Sequence, residues 1–289
     1  DLKGFTDEGR PRIFMYGAAP IQIGYLGFPG TMGLSCFDYI VADRTLIPEA
    51  YQDGMVEKII YMPNSYQVND RHRAIATVKM SREDLGLPAE GFIYCCFNNN
   101  YKITPNVFDG WARILKAVEG SVLWLFADNT YAVENLKKEA QARGLDITRL
   151  IFAERMDSAE HLARYQLADL FLDTTPCNAH TTASDALWVG LPVLTLIGES
   201  FGARVAASLL NAVGLPELVV DTQEEYEALA IQLARNPDEL NQLKMRLKEN
   251  VLNAPLFDTP LFTKHLEMAF LKAYERGQKG LLPEHIYVE

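Results

Sequence analysis

Three short segments hold the side chains that could do chemistry. The first is Phe97-Asn-Asn-Asn-Tyr-Lys102, where three amides, a phenol and an ammonium gather just before Thr104-Pro105. The Lys102 ammonium could neutralise a phosphate or a departing anion. The plain alternative is a solvated lysine in a polar turn. The second segment is Asp173-Thr-Thr-Pro-Cys-Asn-Ala-His180-Thr181-Thr182, followed by Ala-Ser-Asp185 at the start of a helix. A helix start carries roughly half a positive charge and several free N–H groups. The Thr181 and Thr182 hydroxyls beside those groups would cradle a diphosphate. Asp185 shares their helix face and could accept from a sugar hydroxyl. Capping alone needs one polar residue, yet Asn, His, Thr, Thr, Ser and Asp crowd the stretch 178–185, so an anion site is favoured over a simple cap. The third segment, Arg155-Met156-Asp-Ser-Ala-Glu-His161-Leu-Ala-Arg164, places His161 and Arg164 three apart on a helix. A lone helical histidine is more often a packing or surface residue. This segment gains weight only because, like the others, it follows a strand.

The elements that must position these segments are regular from Gly91 onward. Phe92–Phe97, Ser121–Ala127, Leu150–Ala153, Asp169–Asp173, Pro192–Leu196 and Glu217–Val220 are apolar runs of strand length. Continuous rather than alternating apolarity implies a sheet covered on both faces. Helices are predicted between them, over Thr104–Val118, Tyr131–Arg143, Asp157–Leu167, His180–Val189 and Gly202–Ala212, with Thr222 capping another. Asp157-x-x-Glu160 and Thr222-x-x-Glu225 read as capping boxes. The alternation gives βαβ units and a parallel sheet, an α/β fold. In such sheets ligands sit beyond the carboxyl ends of the strands, which is where the three segments lie. Two more helices are predicted at about 237–252 and 260–276.

The first 62 residues read as loops and short strands, Pro20–Leu26 and Phe37–Ala42. Between those strands Gly24, Gly27, Gly30 and Gly33 recur every third residue. That spacing suits either a loop where backbone approaches a ligand or a tight connection between strands. Residues 63–90, opened by Pro63 and closed by Leu85-Gly-Leu-Pro, read as a connector and domain boundary. The predicted division is 1–62, the connector 63–90, a regular α/β unit 91–255, and a final helix and tail 256–289.

Composition narrows the function classes. The 289 residues carry 27 basic and 38 acidic side chains, a net charge of −11, which disfavours nucleic acid as a partner. No apolar run reaches the ~18 residues of a membrane span. The four cysteines form no C-x-x-C, and adjacent Cys95 and Cys96 in an apolar run suggest buried thiols in a reducing compartment. There is no G-x-G-x-x-G, no P-loop, no G-x-S-x-G, no H-E-x-x-H and no Asp-x-Asp. A diphosphate bound here would rest on a helix dipole, hydroxyls and Lys102, with no metal predicted.

Ala19–Thr31, Asp38-Tyr-Ile, Phe97-Asn-x-x-Tyr-Lys102, Ser121–Leu125, Gln166-Leu-Ala-Asp, Leu172-Asp-Thr, Cys177-Asn-x-His-Thr-Thr182, Arg204–Ser208 and Pro255-Leu-Phe257 occur in order along the chain. Together they resemble the protein O-linked N-acetylglucosaminyltransferases, the O-GlcNAc transferase and SPINDLY group. The resemblance implies a GT-B fold: a Rossmann-like doubly wound parallel sheet, with a partial second Rossmann-like domain in residues 1–62. It also implies inverting, metal-independent transfer of N-acetylglucosamine from UDP-GlcNAc to Ser/Thr hydroxyls of a protein or peptide, with no cofactor, in the cytoplasm. Lys102 would stabilise the leaving diphosphate. His180, Thr181 and Thr182 would hold phosphates and donor sugar, Asp185 the ribose, and His161 and Arg164 the uracil region, with Met156 and Asn99 also at the donor. Leu26, Gly27 and Pro29 would line the sugar from the other domain. Ser158 replaces a lysine of animal members, and Asn99 a glutamine. SPINDLY members use GDP-fucose, so that donor stays open, as do a UDP-sugar epimerase and a non-catalytic binding fragment. The family's tetratricopeptide region and its N-terminal catalytic histidines have no counterpart here.

Overall fold

The computed structural model describes residues 1–78 and 80–289, and they form two parallel sheets. The larger contains β4 (Ile93–Cys96), β5 (Val122–Phe126), β6 (Leu150–Ala153), β7 (Leu170–Leu172), β8 (Val193–Leu196) and β9 (Val219–Val220). Its order is β6-β5-β4-β7-β8-β9, with every neighbouring pair parallel. The smaller contains β1 (Ile23–Gly24), β2 (Tyr39–Asp43), β3 (Lys58–Met62) and, from the far end of the chain, β10 (Ile286–Tyr287), in the order β1-β2-β3-β10.

The helices of the larger sheet follow from their sequences. In α1 (Pro105–Ala117) Thr104 accepts from the Val107 N–H, Pro105 needs no partner for its nitrogen, and Val107, Phe108, Trp111, Ile114 and Leu115 face the sheet. Then come α2 (Thr130–Ala142), α3 (Ser158–Arg164), α4 (Thr181–Trp188), α5 (Val205–Val213), α6 (Gln223–Arg235) and α7 (Pro237–Asn253). The Thr222–Glu225 capping box forms in full. The Asp157–Glu160 one does not, because the exposed Asp157 side chain makes no cap hydrogen bond. The predicted helix through Leu167 ends at Arg164 and tightens into a 3-10 turn, Tyr165–Leu167. The helix predicted from Gly202 begins at Val205, behind a 3-10 turn over Phe201–Ala203.

The smaller sheet alternates its burial. Ile40, Ala42, Ile59 and Tyr61 join the core shared with the larger sheet, whereas Tyr39, Val41, Ile60 and Met62 lie under Ala269 and Ala273 of α8 (Thr259–Gln278). The strand predicted over Pro20–Leu26 shrinks to Ile23–Gly24. Leu26 turns to a φ of 69°, and Gly27 lies so close to the chain start that a Cβ there would stand 2.1 Å from the Leu2 carbonyl oxygen. A left-handed leucine costs about 1–2 kcal/mol, so the contacts around this turn hold it against a local preference. Asp43 ends β2 fully buried, accepting from the Thr45, Leu46 and Tyr66 N–H groups, each at 2.9 Å, and from the Ser208 hydroxyl of α5 at 2.6 Å.

Residues 63–90 lie against both halves. Asn69 donates to the Leu256 carbonyl at 3.1 Å, its own carbonyl accepts from Thr259 Oγ1 at 2.7 Å, and its amide oxygen accepts from Ser184. Arg82 reaches Asp169 at 3.1 Å. The chain therefore crosses between the sheets twice, here and again before α8. No helix is long and apolar enough to cross a membrane among the described residues.

Candidate functional site

Chain order reverses between β4 and β7, the two strands at the middle of the larger sheet. Loops leaving adjacent strands at such a switch point splay to opposite faces and leave a crevice. The loops in question are the first two segments singled out above. They meet through Lys102, whose Nζ donates to the Asn178 carbonyl at 2.6 Å. The ammonium thus stands beside the turn that leads into α4.

Beneath this contact lies a buried polar ring. Asn98 donates to Thr174 Oγ1 at 2.8 Å and to Asp173 Oδ1 at 3.3 Å, while its own oxygen accepts from the Thr182 hydroxyl. Asp173 also accepts from the N–H groups of Thr174 and Ala179 and from the Thr195 hydroxyl. Thr181 is exposed and Thr182 half-buried at the first turn of α4, so the free N–H groups of this helix start face the crevice. His180 precedes them, and its Nε2 lies 3.4 Å from the Gly202 carbonyl. A carbonyl can only accept, so this pairing puts the proton on Nε2. Burial first, then the nearby Lys102 charge, lower the His180 pKa to about 4 and leave the ring neutral at pH 7.

Asp185 lies one turn further on, where Arg73 from the connector pairs with its Oδ1. Burial raises its pKa, and Arg73 opposes the rise. Of the third segment, Met156 and His161 are half-buried. The His161 ring packs 5.5 Å from Phe97 and 5.0 Å from Tyr165. Desolvation, then Arg164, bring its pKa to about 4. Arg164 itself is only 1% exposed: it donates to the Glu154 carbonyl at 2.5 Å and lies over the Phe97 ring at 4.6 Å. It stands behind His161 and not on the crevice wall. Asn99 is exposed, and its amide donates to the Tyr101 hydroxyl at 3.3 Å.

The glycine-spaced loop approaches from the smaller sheet. A Cβ on Gly202 would stand 3.9 Å from Pro29 Cγ, and Gly202 is the residue whose carbonyl accepts from Asn178 N at 2.9 Å. Pro29 therefore reaches the rim of the crevice, with Leu26 half-buried and Gly27 exposed behind it. Next to this contact a cleft of about 530 Å³ opens between the two halves, lined by Pro29, Thr31, Tyr51, Met55, Ser200 and Phe201. A second concavity of about 410 Å³ lies at the opposite edge of the larger sheet, against Trp188, Gly190, Leu191, Lys244 and Lys248. Lys244 there is paired with Asp169 at 3.2 Å.

Arg73, Thr195 and Gly202 were given no role from sequence, and Asn98 and Asp173 entered only as members of the two polar segments, with no role of their own. Asp173 and Thr195 did leave a signal, since each is a polar residue within or closing an otherwise apolar strand run. Arg73 left none beyond its place in a polar connector. Among the described residues no group of three His, Cys, Asp or Glu side chains could hold a metal ion.

Two Rossmann-like parallel sheets facing one cleft, with the crevice at the switch point of the second, define a GT-B architecture. The chain belongs to glycosyl transferase family 41, whose model matches residues 1–80 and 72–266. It is 39% identical over 294 residues to a probable UDP-N-acetylglucosamine–peptide N-acetylglucosaminyltransferase, SEC, of Arabidopsis thaliana; the match spans 100% of this chain and 30% of that protein. The Caenorhabditis elegans UDP-N-acetylglucosamine–peptide N-acetylglucosaminyltransferase is 27% identical, with 99% of this chain and 34% of that protein covered. A lysine-to-methionine mutant of the Thermobaculum terrenum O-GlcNAc transferase superposes with a TM-score of 0.82 at 30% identity, over 92% of this chain and 51% of its own. The chain thus spans about a third of the curated relatives it matches.

Proposed function

We propose that the crevice between β4 and β7 binds the diphosphate of UDP-N-acetylglucosamine, and that the whole protein transfers the sugar to Ser/Thr hydroxyls of a protein acceptor. The observation that carries this reading is the Lys102 ammonium held on the Asn178 carbonyl, one turn before the N-terminus of α4. An ammonium and free N–H groups aimed at one crevice suit the charge that grows on a leaving diphosphate. In the transfer an acceptor oxygen attacks C1 of the sugar with inversion, the C1–O bond to phosphate breaks, and UDP departs with the electron pair. The hydroxyl proton passes to a general base. Thr181 and Thr182 hold phosphate, Asp185 the ribose, and His161 and Met156 flank the base, with Leu26, Gly27 and Pro29 closing over the sugar. His180 and Asn99 lie at the phosphate and sugar end, and Arg164 acts from behind His161. The relatives named above are peptide N-acetylglucosaminyltransferases, which supports the donor and acceptor classes. No metal takes part in the proposed chemistry. A cytoplasmic setting accords with four unpaired cysteines, and a tetratricopeptide region in the whole protein would present the acceptor.

The test is Lys102→Met in the full-length protein, assayed in EDTA. Transfer should fall about 100- to 1000-fold while UDP binding by calorimetry changes little. Equal losses in both would remove the leaving-group role, and preference for GDP over UDP in wild type would overturn the donor.

A further inference from the structure

Asp173 closes β7 with 3% exposure, and nothing in the proposed chemistry requires its charge. Its Oδ1 accepts from Thr174 N at 2.7 Å and from Ala179 N at 2.6 Å, so one oxygen ties together the first and last turns of the loop. Its Oδ2 accepts from Thr195 Oγ1 of β8 at 2.7 Å. Asn98, from the loop that carries Lys102, donates to the same Oδ1. Between the tied ends, Thr174 Oγ1 donates to the Cys177 carbonyl at 2.7 Å and Asn178 Nδ2 to the Thr174 carbonyl at 2.9 Å. The loop so closed presents the Asn178 carbonyl outward, to Lys102 Nζ.

A buried carboxylate is expensive unless its oxygens are satisfied. Burial raises the Asp173 pKa to about 6, against the Thr195, Ala179 and Thr174 hydrogen bonds and the Lys102 charge. The other titratable groups near it are Cys96 of β4 and Tyr226 of α6, whose hydroxyl donates to the Asp173 carbonyl at 2.9 Å. Among the described residues no cation pairs directly with the carboxylate: its partners there are neutral donors, and two of them are the ends of this loop.

We propose that Asp173 is a positioning residue for Lys102: its carboxylate closes the loop whose Asn178 carbonyl aims the ammonium, and so it acts on transfer more than on nucleotide binding. This rests on the donor-site reading given above. In the full-length protein, Asp173→Ala should lower kcat about 30-fold, with KM for UDP-GlcNAc and Kd for UDP within about threefold. Asp173→Asn should recover to within about fivefold of wild type, because its amide oxygen still accepts from Thr174 and Ala179. Hydrogen exchange over 174–182 should quicken about tenfold in the alanine variant and not in the asparagine variant. Equal losses in the two variants, a rise in KM at unchanged kcat, or unaltered exchange in Asp173→Ala would each overturn the proposal. If Asp173→Ala does not fold, Thr195→Val removes one partner of the carboxylate, and kcat should fall about threefold at constant KM; an unchanged kcat overturns the proposal as well. Wild type that neither binds UDP nor transfers sugar would sink the donor reading alone, and the exchange comparison would still decide the role of Asp173.

Discussion

The two ends of α4 make opposite environments from the same helix. At Thr181 the helix opens on the switch-point crevice with unpaired N–H groups, two hydroxyls and the Lys102 ammonium. At Trp188 it ends over a concavity of about 410 Å³ that also has lysines, Lys244 and Lys248. Lysine count alone would favour the second as an anion site. Helix polarity argues the reverse, since carbonyls and the negative end of the dipole face that concavity. Lys244 is moreover occupied by Asp169. What marks a phosphate site is the sign of the backbone around a hollow, more than the number of lysines beside it.

The sharpest break of this contrast is Lys102→Met, with the 100- to 1000-fold loss of transfer given above. Next, replacing Thr181 and Thr182 together by alanine should weaken UDP binding about tenfold, or ~1.4 kcal/mol, by calorimetry. Unchanged affinity would mean that the phosphate lies elsewhere. A third effect is on pH. His161 and His180 have native pKa values of about 4 against 6.5 unfolded, so the unfolded chain takes up protons first as pH falls. Their contribution to stability is whole above pH ~6.5 and is lost towards pH 4. The thermal midpoint should fall over that window, and His180→Gln should flatten the fall; an unaltered slope would show that His180 does not titrate there. The smallest effect belongs to the other end of α4. Lys248→Ala should leave UDP affinity within about twofold, and a larger loss would erase the distinction between the two hollows.

The larger sheet was legible in sequence because its strands are unbroken apolar runs and α1 and α6 carry the caps read for them. Leu150–Ala153 was read to the residue, and the other runs were read one or two residues too long. The smaller sheet was harder. β1 and β10 have two residues each, β10 pairs with β3 from the far end of the chain, and β3 itself was read only as part of a region of loops and short strands. A two-residue strand has no period to detect. The segments around Lys102 and His180 were visible as polar clusters after strands. Their meeting was not visible, because the Lys102–Asn178 contact spans 76 residues and depends on β4 lying beside β7. The Arg73–Asp185 pair was hidden for a similar reason: local sequence cannot show that the connector passes over α4.

The double crossing at Asn69 bears on how force passes through the molecule. Two halves joined by one strand of chain can swivel on a single tether, but here two tethers run side by side and one amide fastens both to α4. A ligand drawing the sheets together would load Asn69 as a rivet is loaded in shear, and its loss would free two junctions at once.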